Sequence, residues 1–200
     1  TKKSKSPLSF HPIALIFGLL SFVSYLVEGA VGDWSALYLF EDKGIVIEEA
    51  VMGVMLFNGT MCIGRLLGNR LGKHLTSKQV VVGGYLLGSI AMGLIVFLPG
   101  HASMYTYLLL GISLAMIVPN LFSAMGEQNV IPMTQAVATS TMLGYMGILM
   151  GPALIGFIAH GTSLTVAFIV LTTLLVVSAG IGKYAYHLMS KDCGLSEEQI

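Results

Sequence analysis

Charged residues are scarce in this chain of 200 residues: Asp, Glu, Lys and Arg together make up 10% of it, whereas hydrophobic residues make up 55%. A soluble domain usually has about a quarter of its residues charged. The mean hydropathy of +0.84 therefore excludes a water-soluble globular fold. The formal net charge is zero, and this gives no indication of nucleic acid as a partner.

Cysteine is also scarce, with Cys62 and Cys193 expected on different elements of the fold. The sequence thus predicts no disulfide, no metal site and no cofactor. Glycine and methionine, by contrast, are frequent, with 24 and 12 copies. Both suit closely packed membrane helices.

Six long apolar segments follow one another along the chain. Each is close to the roughly 20 residues that an α-helix needs to cross a bilayer core of about 30 Å. We therefore predict an all-α membrane protein with six transmembrane helices, at residues 13–30, 51–67, 80–98, 105–122, 136–158 and 164–184. They form a bundle over 13–188, between a basic linker at 1–12 and a tail at 189–200. Because the chain begins at Thr1 without an initiator Met, we expect it to be part of a longer protein.

Nine of the ten Lys and Arg residues fall on one side of this zigzag of six segments. They are Lys2, Lys3, Lys5, Arg65, Arg70, Lys73, Lys78, Lys183 and Lys191. The tenth, Lys43, lies on the other side in the acidic connection 40–49. Since short loops rich in Lys and Arg stay in the cytoplasm, we predict a protein of the inner membrane with both termini cytoplasmic.

Polar side chains within the spans are candidate functional residues, because hydrocarbon accepts them only beside a partner or a water-filled cavity. Glu28 lies about 22 Å from the cytoplasmic end of the first span, in the outer half of the membrane. There it can either exchange a proton with the external medium or simply bond a neighbouring helix. Asp33 is either a second pathway residue or the end of the helix. Asn58, about 11 Å from the outer end of its span, is predicted at the level of Glu28, in a pathway or in helix contacts.

Two prolines predict irregular helices. Pro119-Asn120 is predicted to interrupt the fourth span and to free backbone carbonyls for cavity contacts, with Asn120 as a candidate pathway residue. Pro152 is predicted to bend the fifth span, as a hinge or as a fixed kink. Tyr145, on the same span, is either a cavity hydroxyl or a packed aromatic.

Three stretches of the chain resemble signatures of the C-terminal half of the major facilitator superfamily. Residues 64–72, GRLLGNRLG, resemble its cytoplasmic loop motif, often G-R-L-x-G-D-x-L in this half. Residues 147–156, GILMGPALIG, resemble G-x-x-x-G-P-x-x-G-G. Residues 28–35, EGAVGDWS, resemble the E-G-x-x-x-D-W stretch in helix seven of a bacterial group of facilitators.

The resemblance covers nearly all of the chain, as the family's helices seven to twelve. It implies one half of the general-substrate-transporter fold, which pairs with an N-terminal six-helix half in the lipid bilayer. It also implies a secondary transporter, symporter or antiporter, that moves a small-molecule substrate by alternating access. The first, second, fourth and fifth spans would line the cavity or the interface between halves, with Glu28 the first choice for proton coupling.

The same resemblance assigns two groups of residues. It implies a gating role for the residues of the cytoplasmic loop motif, Gly64, Arg65, Gly68, Asn69 and Arg70. It implies a role in helix packing, or as a hinge, for Gly147, Gly151, Pro152 and Gly156 of the fifth span. Asn69 stands where the motif has Asp, so the family's charge clamp does not carry over.

Other functions fit six spans less well. A rhomboid-type protease needs a Ser nucleophile with a His at matching depth. The chain has no G-x-S-G, and its candidate histidines lie at turns or helix ends, so we predict no enzyme. A channel would need a row of arginines or a re-entrant loop. A non-transporting scaffold or sensor stays open as an alternative, and no motif identifies the substrate or the coupling ion.

Overall fold

The computed structural model describes residues 11–71 and 75–193, with the side chains of 11–68 and 75–191. These residues form α-helices and no strand. The helices are α1 (Pro12–Glu41), α2 (Ile47–Leu71), α3 (Ser77–Phe97), α4 (Gly100–Ala115), α5 (Ile117–Glu127), α6 (Met133–Gly161) and α7 (Leu164–Cys193). Counting α4 and α5 together as Gly100–Glu127, six helices are long and apolar enough to cross a membrane. The predicted all-α membrane protein with six spans is confirmed.

Local sequence sets the beginnings of two helices. α1 begins with Pro12, whose missing N–H is no loss in a first turn, after His11, whose side chain accepts a hydrogen bond from the Ile13 N–H. α3 begins with a capping box in which Thr76 Oγ1 accepts from the Gln79 N–H at 3.3 Å and Gln79 Oε1 accepts from the Thr76 N–H at 3.1 Å. Both sequences therefore satisfy backbone donors that a helix start leaves open.

The first helix is longer than the span predicted at 13–30, because α1 continues to Glu41. Neither Glu28 nor Asp33 ends it: both are on sides of the helix that are at least partly open. Between and beyond them Val31, Ser35 and Tyr38 keep one side of the helix buried. Helical packing on that side explains why polar residues do not stop the helix.

The fourth span is divided in two. α4 ends at Ala115 and α5 begins at Ile117, so the break lies at Met116, one turn before the predicted interruption at Pro119-Asn120. A proline cannot donate to the carbonyl four residues earlier, here that of Ala115, and its ring crowds that carbonyl. The turn before Pro119 is therefore the one that is disrupted.

Two of the helices, α2 and α6, have a large exposed face. α1 packs most extensively against α6, α2 against α4, and α3 against α7 and α4. In the most apolar stretch of α1, 61% of the residues are buried. In the corresponding stretches of α2 and α6, 28% and 22% of the residues are buried. The core thus surrounds α1, and α2 and α6 on either side of it present open faces.

Candidate functional site

An ion pair joins α1 and α2 between their open sides. Arg65 Nη2 lies 3.1 Å from Glu28 Oε2 and 3.3 Å from Glu28 Oε1. The two side chains are 44% and 21% exposed, respectively. The charged pair is therefore partly open, and a solute or another part of the protein can reach it.

Both residues of the ion pair lie inside helices. Arg65 belongs to α2 and lies near the end of the span Ile47–Gly68, within the segment 51–67 that the sequence predicts as the second span. Glu28 lies near the middle of α1, whose bounds are Pro12 and Glu41.

Two tyrosines lie beside the ion pair. Tyr25 on α1 and Tyr145 on α6 stack with ring centroids 6.2 Å apart and planes 6° from parallel. Tyr25 lies within electrostatic range of Glu28, Arg65 and Tyr145. Tyr145 is 62% exposed, which favours its predicted reading as a cavity residue over a packed aromatic. Tyr25 carried no sequence signal, because a tyrosine in an apolar span looks like ordinary packing.

One face of α2 continues this polar surface. Asn58 precedes Arg65 by two helical turns, about 10 Å, and shares its face. Its side chain is exposed, and Nδ2 donates to the Val54 carbonyl of the same helix at 3.0 Å. Cys62, also exposed, lies between them. Asn58 therefore faces the open side of α2, and among the described residues its side chain has no hydrogen bond to a neighbouring helix.

The two facilitator-like stretches of α1 and α6 contact each other. Trp34 Nε1 donates to the Pro152 carbonyl at 2.9 Å. A Cβ on Gly156 would come within 2.8 Å of the Trp34 ring, and a Cβ on Gly29 within 2.8 Å of the Ile148 carbonyl oxygen. That carbonyl is the one that Pro152 leaves without its helical donor. The E-G-x-x-x-D-W stretch therefore covers the proline site of α6, and the helix stays continuous through Pro152.

Four other predicted site residues lie outside the group formed by the ion pair and the two tyrosines. Asp33 is exposed on α1, with no salt-bridge partner in the described part of the chain. Asn120 Nδ2 donates to the Met116 carbonyl at 2.8 Å, so it caps the break in its own span. Gly64 and Gly68 lie against α4 and the break, where a Cβ would meet Ala115 and Met116, respectively. None of these four residues belongs to the polar cluster, which consists of Glu28, Arg65, Tyr25 and Tyr145.

Two predicted gating residues, Asn69 and Arg70, have side chains outside the described residues. Their backbone belongs to α2.

Lys43, in the connection between α1 and α2, is held by two contacts. Lys43 Nζ donates to the Val96 carbonyl in the last turn of α3 at 2.6 Å, where the helix dipole favours a cation. The same ammonium lies 5.3 Å from the Tyr38 ring centroid. Burial lowers the pKa of Lys43, and the Asp42 carboxylate opposes that effect. Lys43 therefore caps the C-terminal end of α3 and is not a free charge of its connection.

No protein-family model matches the chain. Curated relatives do match it: an uncharacterized MFS-type transporter of Yersinia pestis is 41% identical over 168 residues, which are 82% of this chain and 43% of the relative. The membrane protein MosC of Rhizobium meliloti is 30% identical over 170 residues, 84% of this chain and 42% of the relative. The chain thus spans about two fifths of the length of these relatives.

The fold was also compared with solved structures. The crystal structure of the E. coli fucose:proton symporter superposes with a TM-score of 0.77 at 16% sequence identity, over 92% of this chain and 47% of that one. The chain has the fold of one major facilitator half. The resemblance to the C-terminal half of a facilitator is confirmed. In this facilitator half, the ion pair and the two tyrosines lie on α1, α2 and α6, the helix with the deepest packing and the two helices with the most open faces.

Proposed function

We propose that the chain is the C-terminal half of a secondary active transporter that moves a small solute by alternating access. The observation that carries the proposal is the Glu28–Arg65 pair, a partly open charged pair inside a six-helix facilitator half. The transporter names of the relatives support it. The partner is then an N-terminal six-helix half of the same protein, and a catalytic function is not expected.

Glu28 is the proposed coupling group. When Glu28 takes up a proton, it loses the charge that holds Arg65, so proton binding changes a contact between α1 and α2. A two-state transporter needs a group whose protonation alters a helix contact in this way. The structural neighbour is named a fucose:proton symporter, and we extend only proton coupling, not its sugar, to this chain. The non-transporting scaffold has no observation that favours it.

The test is uptake by the intact protein that contains this chain, reconstituted in proteoliposomes with and without an inward pH gradient. Glu28→Gln is expected to abolish gradient-driven accumulation and to leave exchange of labelled for unlabelled solute measurable, because the amide cannot carry a proton. Glu48→Gln, a matched change at an exposed carboxylate at the outer end of α2, is expected to keep both. Undiminished gradient-driven uptake in Glu28→Gln removes Glu28 from the mechanism.

A further inference from the structure

Only one of the three nitrogens of the Arg65 guanidinium contacts Glu28. Both of its contacts to Glu28 come from Nη2. A guanidinium has five N–H donors on three nitrogens, and its strongest arrangement with a carboxylate uses two nitrogens in parallel. Nε and Nη1 have no acceptor in the part of the chain that the structure describes. The pair therefore leaves donors free for another acceptor.

Charge limits what that acceptor can be. Arg65 and Glu28 are together neutral, and when Glu28 is neutral the cluster carries one positive charge. The other ionisable groups beside it are the hydroxyls of Tyr25 on α1 and Tyr145 on α6. A single positive charge suits a single negative charge. The group that Arg65 already contacts is itself a carboxylate, so Glu28 shows which chemistry the guanidinium accepts.

The two tyrosines beside the ion pair indicate a second property of the ligand, the shape and polarity of its body. Tyr145 is mostly exposed and stacks on Tyr25, so an apolar ring surface with two hydroxyls lies beside the charged pair. Aromatic faces in a cavity bind the apolar body of a solute, and the hydroxyls fix its orientation. The site therefore fits a molecule with one anionic end and a small planar or apolar body.

We infer that Arg65 binds the carboxylate of a small organic monocarboxylate, and that Glu28 occupies this position when no substrate is bound. The inference rests on the proposed transport function and names its substrate class. Substrate and Glu28 then compete for one guanidinium, and protonation of Glu28 releases Arg65 for the substrate. A proton and a monocarboxylate would move together with no net charge. A bridge that serves only to hold α1 against α2 would show no such competition.

The experiment measures binding to the intact purified protein by isothermal titration calorimetry. The probes are 4-hydroxybenzoate and lactate, each compared with its amide, which has nearly the same shape and no charge. We expect the acids to bind and the amides not to bind. Glu28→Gln is expected to lower the dissociation constants of the acids by about tenfold, because it removes the competing carboxylate. A folding defect cannot produce tighter binding.

The arginine variants complete the test. Arg65→Gln is expected to abolish binding of both acids, and Arg65→Lys to weaken it, since an ammonium keeps the charge but not the planar donors. Lys183→Gln, which removes an exposed charge from α7, is the matched control and is expected to bind normally. Binding that survives Arg65→Gln, equal binding of acid and amide, weaker binding in Glu28→Gln, or no binding of either acid to wild type and Glu28→Gln overturns the inference.

The outcomes for the two proposals are separate. A protein that carries a neutral sugar across proteoliposomes, and binds neither acid, keeps the transport function and overturns the monocarboxylate site. A protein that binds the acids through Arg65 but moves no solute keeps the site and overturns transport.

Discussion

At the scale of single residues, Trp34 connects two features that the sequence presents separately. Its Nε1 donates to the Pro152 carbonyl, and its ring covers Gly156. A proline in a helix removes one backbone hydrogen bond and weakens the helix locally. A side chain from α1 that bonds the Pro152 carbonyl and packs on Gly156 stabilises the turn of α6 that follows the proline and holds the two helices in register.

Trp34→Phe isolates the hydrogen bond, because phenylalanine keeps an aromatic ring near Gly156 but has no N–H. We expect a loss of about 1 kcal/mol in stability, the usual net value of one hydrogen bond. The measurement is the apparent melting temperature in detergent. Tyr184→Phe changes an exposed aromatic on α7 and serves as control. Equal melting temperatures for Trp34→Phe and wild type would mean that the indole N–H adds no stability.

Glu28 and Tyr25 show how far a sequence reveals the site. An acidic residue inside an apolar segment is expensive in lipid, so Glu28 could be predicted as a candidate. Its partner could not be predicted: Arg65 stands beside a basic turn in the sequence, and only the packing of α1 against α2 shows that its side chain reaches inward. Tyr25 could not be predicted either, because its role depends on Tyr145 of a distant helix.

At the scale of helices, glycines set the distance between α1 and α6. A Cβ on Gly147 would collide with the Phe22 carbonyl oxygen, and one on Gly151 would lie 2.5 Å from the Leu26 carbonyl oxygen. Backbone atoms, unlike a flexible side chain, cannot turn aside. The close approach also brings glycine Cα–H groups to carbonyl oxygens, a weak favourable contact. The spacing of four predicted a contact face, but the sequence did not identify α1 as the helix on it.

Gly147→Ala tests this contact. The added methyl group has to push α1 and α6 apart, and we expect a cost of about 1–3 kcal/mol, typical of overpacking. Gly180→Ala is the matched control: Gly180 is also inside a helix, α7, and its Cβ would meet nothing within 4 Å. There alanine is expected to be neutral or to stabilise by up to about 1 kcal/mol through helix propensity. Melting temperatures of both variants in detergent make the comparison, and equal effects would contradict close packing at Gly147.

At the scale of the whole molecule, the open faces of α2 and α6 agree with a half that needs a partner. Both helices carry exposed apolar side chains, among them Met55 and Leu66 on α2 and Leu149 and Phe157 on α6. Lipid or a second six-helix half can cover such surfaces. The polar cluster lies next to these faces, so a partner half that covers them would enclose the Glu28–Arg65 pair in a shared cavity. The basic turns predict the orientation of this assembly in the membrane.

The orientation can be measured with two equivalent positions. Glu48 and Lys78 are each the second residue of a helix, α2 and α3, at opposite ends of the bundle. In an intact protein without other cysteines, Glu48→Cys is expected to react with a membrane-impermeant maleimide added to whole cells. Lys78→Cys is expected to react only after permeabilisation, because we predict that the basic turn before α3 is cytoplasmic. Labelling of Lys78→Cys from outside intact cells would reverse the predicted topology and contradict a cytoplasmic position of the basic turns.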